Sequence, residues 1–307
     1  MNVRDVAATR SQIGDSVIGR DRELELVLSA MAAGRHLVLE GPPGTSKTVI
    51  LSAITAAWGI PLIFVEGNAE LTAARLVGYH SPPRVMQEGY SADNFVDGPL
   101  LEAMRTGAFL YIEEFNRAPE ETVNVLITAM AERQITVPRV GRVSALPSFR
   151  VVASMNPIDD VGTSRLSSSL LDRLCRLAIN YQDEASERAI VALRAGAGRH
   201  RHAGFWGRMI EDGVAVTRAT RQHRDVRQGS SVRGAIDLVL VAEQILAVRE
   251  VDLADLASYR LAILDAMHVA LSGRIHLVEV VDTSPELVLE GIWRDHFAGS
   301  RELADPG

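Results

Sequence analysis

Nine consecutive residues have the types and order of a loop that binds phosphate and then enters a helix. They are Gly41, Pro42, Pro43, Gly44, Thr45, Ser46, Lys47, Thr48 and Val49. Backbone N–H groups of such a loop, and of a helix that begins in it, point at phosphate oxygens. We therefore predict that Lys47 reaches the β- and γ-phosphates of a nucleotide and that the Thr48 hydroxyl ligates Mg²⁺.

Two residue types in this loop bear on that prediction. Of the 32 basic residues in the chain, Lys47 is the only lysine, and a compact ammonium suits phosphate contact here better than a planar guanidinium. The strict pattern has glycine where this chain has Ser46, although serine is small enough to leave the backbone accessible. The alternative that stays open is a chance glycine- and proline-rich turn before a helix.

Two adjacent acids follow a short apolar run, Phe109–Ile112. We predict that Glu113 lies on the metal side of the nucleotide, through a metal-bound water, and that Glu114 polarises the water that attacks phosphate. Paired acids after a buried strand indicate a cation nearby, because buried charges need a partner. The first acid is usually aspartate, and glutamate is one methylene longer. The open alternative is a solvated strand end.

These residues require a sheet that brings strand ends together. The apolar runs predicted as strands are 35–40, 61–66, 109–114, 149–156 and 174–181, and they alternate with helical patterns. This order predicts an α/β fold, an α/β/α nucleotide-binding domain around a parallel sheet, with the polar strand ends along one edge.

The rest of the chain divides around this predicted sheet. Residues 1–181 form the predicted nucleotide-binding domain, with an irregular insertion at about 77–97 and a hairpin at about 135–146. Residues 182–307 form a predicted helical lid domain and C-terminal segment, with no strand expected before Ile275.

Several motifs together resemble the MoxR branch of the AAA+ ATPases. The first runs from Glu113 and Glu114 through Asn116 and Arg117 to Pro119. The resemblance continues through the segments 126–134, 152–157, 171–173 and 229–233, and it covers roughly residues 17–248. It implies an AAA+ module that hydrolyses ATP with Mg²⁺ in a ring of six copies of this chain, to remodel or mature a client protein. A separate cofactor protein with a von Willebrand factor A domain is an expected partner.

The resemblance also implies roles for individual residues. Asn156 matches the sensor that orients the attacking water, and Arg173 matches the arginine finger that reaches the γ-phosphate held by a neighbouring subunit. Arg233 matches a second sensor in the lid of the same subunit, and Ile18 and Gly19 match the segment beside adenine. Because the chain has many arginines, a salt bridge is the open alternative for Arg173.

Composition limits the remaining function classes. The net charge of −7 and pI of about 5.7 do not favour nucleic acid as a partner, although the stretch 194–227 holds eight arginines. One cysteine excludes a disulfide framework. We see no export signal and no membrane span, so we expect a cytoplasmic enzyme. Two rival hypotheses stay open: a nucleotide-switched binding module with little hydrolysis, and a DNA-directed AAA+ protein.

Overall fold

The computed structural model describes residues 3–157, 167–196, 203–252 and 254–298. Its two compact units are Met1–Asn180 and Tyr181–Gly307. The sequence places the boundary one residue later, after residue 181.

The first unit contains a parallel sheet. Its strands are β1 (His36–Glu40), β2 (Leu62–Glu66), β3 (Gly78–His80), β4 (Phe95–Asp97), β5 (Phe109–Glu113), β6 (Gln134–Val137), β7 (Gly141–Ser144), β8 (Arg150–Met155) and β9 (Leu174–Ala178). Among the described residues, five strands pair in parallel in the order β2-β5-β8-β1-β9. They are the five predicted strands, with ends that differ by at most three residues. β1, β5 and β8 are almost entirely buried, which explains their continuous apolar sequences.

Helices cover both faces of this sheet. The helices of the first unit are α1 (Val3–Ile13), α2 (Asp21–Ala32), α3 (Lys47–Trp58), α4 (Ala73–Val77), α5 (Pro82–Glu88), α6 (Pro99–Thr106), α7 (Glu120–Glu132) and α8 (Ser168–Leu171). Phe109 and Tyr111 of β5 lie in one core cluster with Ile50 of α3, whereas Leu110 lies in another with Leu126 of α7. Because side chains alternate along a strand, Glu113 lies on the same face of β5 as Phe109 and Tyr111, the face against which α3 packs.

The stretch 77–97 is not irregular, so that prediction is wrong. Its ends pair as the antiparallel strands β3 and β4, with α5 between them. Tyr79 lies opposite Val96, and both are exposed. Strands of three residues give almost no periodic signal, and only their pairing reveals them.

The predicted hairpin at 135–146 is present as β6 and β7. Ile135 pairs with Val143, and the register continues to Val137 opposite Gly141. The Arg139 guanidinium lies 4.8 Å from the ring centroid of Tyr90 in the 77–97 insertion. The two insertions of the first unit therefore contact each other.

The second unit is mainly helical, as predicted. Its elements are α9 (Glu184–Ala195), α10 (Ala203–Thr220), β10 (Val226–Gln228), α11 (Val232–Val248), α12 (Leu256–Leu271), β11 (His276–Leu277) and α13 (Pro285–Ala298). β10 and β11 form a small antiparallel pair, so the expectation of no strand before Ile275 is wrong. Within the described ranges, no helix combines the length and apolarity needed to cross a membrane.

Candidate nucleotide-binding site

The phosphate loop begins at a position that only glycine can fill. A Cβ on Gly41 would lie 2.0 Å from the carbonyl oxygen of Ile179, just beyond β9. The Gly41 N–H donates to the Met155 carbonyl at 3.0 Å. On the other side, the Ile179 N–H donates to the Glu40 carbonyl at 2.7 Å. Gly41 is thus held between β8 and β9 at the carboxyl edge of the sheet.

Ser46 occupies the glycine position of the strict pattern with a left-handed backbone. Its φ is 68° and its ψ is 16°, and it is the N-cap of α3. For a residue with a Cβ this conformation costs roughly 1–2 kcal/mol. The loop therefore has the backbone conformation that favours glycine at this position, and Ser46 adopts it although it is strained.

The Lys47 side chain forms hydrogen bonds to the backbone of the phosphate loop. Its Nζ donates to the carbonyl oxygens of Gly41 and Pro42, each at 2.8 Å, and to Thr45 Oγ1 at 3.3 Å. Thr45 Oγ1 donates in turn to the Pro42 carbonyl at 2.8 Å. Lys47 is 8% exposed, so most of its side chain is out of water while its ammonium lies within the loop. This arrangement places the positive charge where the sequence requires it for phosphate binding.

The two predicted metal ligands lie together. Thr48 Oγ1 donates to Glu113 Oε1 at 3.5 Å, which joins the first turn of α3 to the end of β5. Hydroxyl and carboxylate oxygens are hard ligands, and Mg²⁺ typically takes one or two carboxylates beside phosphate oxygens. Across the described ranges, no cluster of three or more His, Cys, Asp or Glu side chains could hold a metal ion. The Thr48 and Glu113 pair fits Mg²⁺ held jointly with a nucleotide.

Tyr111 is part of this site, and the sequence analysis missed it. Its side chain is completely buried, and its Oη lies 3.3 Å from Thr48 Oγ1 and donates to Ser154 Oγ at 3.0 Å. Burial raises the pKa of the Tyr111 hydroxyl above its ordinary value, and the nearby Glu113 carboxylate adds to this rise. The available signal was a hydroxyl-bearing side chain two residues before Glu113, on the same face of β5.

Glu114 turns away from β5 in a left-handed conformation, with a φ of 51°. A Cβ on Gly67 would lie 2.5 Å from the Glu114 carbonyl oxygen, so a glycine beyond β2 makes room for this turn. The Glu114 carboxylate forms an ion pair with Arg117, with 3.1 Å between Oε2 and Nε. Both side chains are about two fifths exposed, at 43% and 38%. The predicted water-polarising group is therefore partly exposed, next in the chain to the predicted metal ligand Glu113, and paired with an arginine.

Asn156, the predicted sensor, lies one residue beyond β8, the strand that pairs with β5. The side-chain amide of Asn116 donates to the backbone carbonyl of Asn156 at 3.5 Å. Asn116 is buried. The two residues that follow the glutamates therefore contact different parts of the site: Asn116 bonds to the end of β8, and Arg117 pairs with Glu114.

Ile18 and Gly19 lie between α1 and α2. They line a cavity of about 640 Å³ together with residues of α1, including Ala7 and Arg10. The buried Arg20 donates from Nη2 to the Asn180 carbonyl at 2.6 Å, next to the residue that contacts Gly41. This bond ties the predicted adenine segment to the strand that borders the phosphate loop.

Arg173 lies at the opposite edge of the sheet. It precedes β9, whose first residue Leu174 pairs with His36 at the start of β1. Gly41 follows the other end of β1, roughly 20 Å away at 3.3 Å per residue. Arg173 is exposed, and its Nη1 donates to the carbonyl and Oγ of Ser169 at 2.7 and 3.1 Å. It is therefore not brought to the phosphate loop of its own chain.

The other predicted arginines lie in the second unit. Arg233 is exposed in the first turn of α11. In the arginine-rich stretch 194–227, Arg218 and Arg221 both pair with the buried Glu187, at 2.9 and 2.7 Å. These two arginines stabilise the helical unit, which weakens the case for a nucleic-acid surface. Residues 197–202 of the stretch lie outside the described residues.

Comparison with known proteins agrees with this geometry. Residues 36–174 match the family model of the AAA domain, dynein-related subfamily. The match runs from β1 to the first residue of β9, so it includes the phosphate loop, both glutamates and Arg173. The gas vesicle ATPase GvpN of Ancylobacter aquaticus is 31% identical over 231 residues, 70% of this chain and 62% of that protein. The chain spans about three fifths of the length of its first curated relatives, at 62% and 57%.

Solved structures show the same fold. A candidate ATPase from Cytophaga hutchinsonii has a TM-score of 0.52 at 19% identity, over 95% of this chain and 94% of that one. The Holliday junction branch migration motor RuvB of Thermotoga maritima has a TM-score of 0.52 at 18% identity, over 83% and 70% of the two chains. The protein therefore has the AAA+ P-loop α/β fold, with additional helices.

Proposed function

We propose that this protein is a Mg²⁺-dependent ATPase of the AAA+ type, in its MoxR branch, that works as a ring on a partner protein. The observation that carries the proposal is the meeting of Lys47, Thr48 and Glu113 at one sheet edge, with Glu114 next in the chain. The match to an AAA domain and the similarity to the gas vesicle ATPase GvpN support ATP as the nucleotide.

Binding depends on the loop and its lysine. The N–H groups at the start of α3 and the Lys47 ammonium provide donors and positive charge for the phosphates. Phosphate oxygens are stronger partners for an ammonium than the carbonyls of Gly41 and Pro42, so we expect Lys47 to exchange one for the other. Mg²⁺, when bound, neutralises charge that develops on the phosphates. Thr48 and Glu113 are the residues that hold it.

Hydrolysis requires Glu114 to orient water, and its ion pair with Arg117 must then open. A pair exposed to this extent contributes only about 0–1 kcal/mol, so ligand binding can displace it easily. The same pair supports the second candidate function, a nucleotide-switched binding module with little hydrolysis, because it holds the carboxylate on arginine in the described conformation.

The position of Arg173 supports the proposal of a ring. The distance between the two sheet edges prevents Arg173 from serving its own phosphate loop, whereas a neighbouring subunit could receive it. A finger of this kind is worth on the order of a thousand-fold in rate or more. Six copies of this chain per ring, and a role for Arg233 as a second sensor, are parts of the MoxR proposal that rest on motif resemblance.

The client protein is proposed to contact the two insertions of the first unit. Tyr79, Met86 and Tyr90 in the 77–97 insertion are 56%, 89% and 57% exposed, an unusual display of large apolar side chains. A separate protein with a von Willebrand factor A domain is the proposed cofactor, by resemblance to the MoxR branch. A cytoplasmic location stays a prediction from the sequence.

Glu114→Gln separates the two candidate functions. We expect wild-type protein to release phosphate from ATP in the steady state, and the variant to be slower by a factor of at least about 100, because the water loses its base. Binding of a fluorescent ATP analogue should be unchanged, since Glu114 is outside the phosphate loop. Wild-type protein that binds the analogue but turns over no faster than the variant would identify the switched binding module instead.

A further inference from the structure

The Tyr111 hydroxyl has a defined place in a chain of hydroxyl groups. Tyr111 and Ser154 are buried, with 0% and 1% of their surfaces exposed, on the neighbouring strands β5 and β8. Tyr111 Oη donates its one proton to Ser154 Oγ at 3.0 Å. The same oxygen lies 3.3 Å from Thr48 Oγ1, on the helix that packs over this face. With its proton committed to Ser154, Tyr111 offers Thr48 an acceptor.

A hydroxyl that ligates a cation has to direct its proton elsewhere. It binds the metal through an oxygen lone pair, so its single O–H must point away from the metal and towards an acceptor. Thr48 has two acceptors within reach: Tyr111 Oη at 3.3 Å and Glu113 Oε1 at 3.5 Å. The tyrosine oxygen is nearer and uncharged. If Thr48 donates its proton to Tyr111, the Glu113 carboxylate stays available to the metal.

The tyrosine side chain is also held in place more firmly than the glutamate. The ring of Tyr111 packs edge-on against Phe64 of β2, with 5.7 Å between centroids, and it belongs to the core cluster beneath α3. Glu113 ends its strand and is only half-buried, and its chain is one methylene longer than that of aspartate. A fixed acceptor defines the direction of the Thr48 proton better than a flexible one.

We propose that Tyr111 is a positioning residue of the magnesium site, which accepts the Thr48 proton and so turns the Thr48 lone pair towards Mg²⁺. The proposal rests on the proposed function, because it assumes that Mg²⁺ joins Thr48 and a nucleotide. In this proposal Tyr111 acts through Thr48. Its removal should weaken the effect of Mg²⁺ on nucleotide binding and leave metal-free binding intact.

Tyr111→Phe tests this by removing one oxygen atom. The affinity for a fluorescent, non-hydrolysable ATP analogue is measured in EDTA and in Mg²⁺, and the ratio of the two affinities gives the metal coupling. We expect this ratio to fall roughly tenfold in the variant, as it does when other partners of metal ligands are removed. The affinity in EDTA should stay at the wild-type value. A merely structural role would lower both affinities together.

Tyr259→Phe is the matched control. Tyr259 is the other tyrosine among the described residues that is almost completely buried, and its Oη donates to Asp212 Oδ2 at 2.7 Å in the helical unit. This variant also loses the hydrogen bond of a buried tyrosine hydroxyl, far from the phosphate loop in sequence, and its metal coupling should equal that of the wild type.

Ser154→Ala keeps the proposal testable if Tyr111→Phe does not fold. Without Ser154, the Tyr111 hydroxyl can donate its proton to Thr48 Oγ1 instead of accepting one from it. The direction of this hydrogen bond is then reversed, and we expect the ratio of the two affinities to fall, as in Tyr111→Phe. Wild-type coupling in folded Tyr111→Phe, or in folded Ser154→Ala where the first variant misfolds, overturns the proposal. Equal losses in EDTA and Mg²⁺ also overturn it. Wild-type protein that binds the analogue without any effect of Mg²⁺ would instead overturn the proposed function itself.

Discussion

Two residues with left-handed backbones and a Cβ flank the candidate metal site. Ser46 precedes the lysine of the loop with a φ of 68°, and Glu114 follows the metal-side acid with a φ of 51°. Such conformations persist where the surrounding structure imposes them, and they are frequent at functional sites. Here each one lies directly beside a residue that is proposed to act on the nucleotide.

Ser46→Gly should stabilise the folded protein by about 0.5–1 kcal/mol. Glycine lacks the left-handed strain, which favours the folded variant by roughly 1–2 kcal/mol. Glycine also has more conformational freedom in the unfolded chain, and this offsets part of the stabilisation. Urea unfolding with and without a nucleotide measures the effect.

Gly59→Ser supplies the reverse control. Gly59 has a φ of 63°, and a Cβ added to it would meet no atom within 4 Å, so serine is introduced there into a similar conformation at the end of α3. We expect a loss of similar size. Equal stability of Ser46→Gly and wild type, with a clear loss in Gly59→Ser, would show that the loop does not strain Ser46.

At the scale of elements, the centre of the sheet was predictable because β1, β5 and β8 are buried on both faces. Continuous apolar runs such as Phe109–Ile112 are typical of buried parallel strands. The acids that follow such a run mark the carboxyl end of the strand, and so the edge of the sheet where ligands bind. The short strands β3, β4 and β10 could not be predicted, since their three residues are ordered by partners distant in sequence. Tyr111 was missed for a related reason: its partner Thr48 lies on another element, and only packing brings the two hydroxyls together.

The pairing of β1 with β8 includes a histidine that makes stability depend on pH. His36 Nδ1 accepts the Val151 N–H at 2.9 Å. Burial, with help from the nearby Arg150 and Arg133 charges, lowers the His36 pKa from 6.5 to about 4. The folded protein keeps this imidazole neutral, whereas the unfolded chain protonates it below pH 6.5. Stability from this group is therefore complete above that pH and is lost as the pH falls towards 4.

His36→Asn should flatten this dependence. The Asn side-chain oxygen can accept the same N–H and does not titrate, so the variant lacks the penalty of about 2 kcal/mol that His36 imposes between pH 7 and pH 5. Urea unfolding at the two pH values gives the comparison, and the carboxylates common to both proteins cancel. An equally steep loss in the variant would mean that His36 is not the group responsible.

At the scale of the whole molecule, the phosphate loop and Arg173 lie at opposite edges of one sheet. If Arg173 acts on a neighbour, Arg173→Ala and Glu114→Gln are each nearly inactive, for complementary reasons. The first keeps its own carboxylate but offers no arginine, and the second offers an arginine but has lost its carboxylate. Mixed rings contain some interfaces with both groups intact, so phosphate release should partly return and should increase with protein concentration as rings form.

The alternative role of Arg173 makes the opposite prediction. As a residue that only stabilises its own subunit, through contacts such as that with Ser169, its loss lowers the melting temperature and no mixture recovers activity. Melting curves and a subunit-exchange assay must accompany the mixing. Two folded, exchanging variants that show no recovery would exclude the action on a neighbour.

The single side-chain amine of the chain lies inside its phosphate loop. Side-chain acetylation, ubiquitin conjugation at lysine and cross-linking through a lysine amine all need a lysine, and within these 307 residues only Lys47 can supply one. Its attachment to the loop carbonyls shields that amine from reagents, and a bound nucleotide would shield it further. Any modification that succeeds also removes the charge or the space that phosphate requires. For this protein, chemical tagging at lysine and loss of the nucleotide site are the same event.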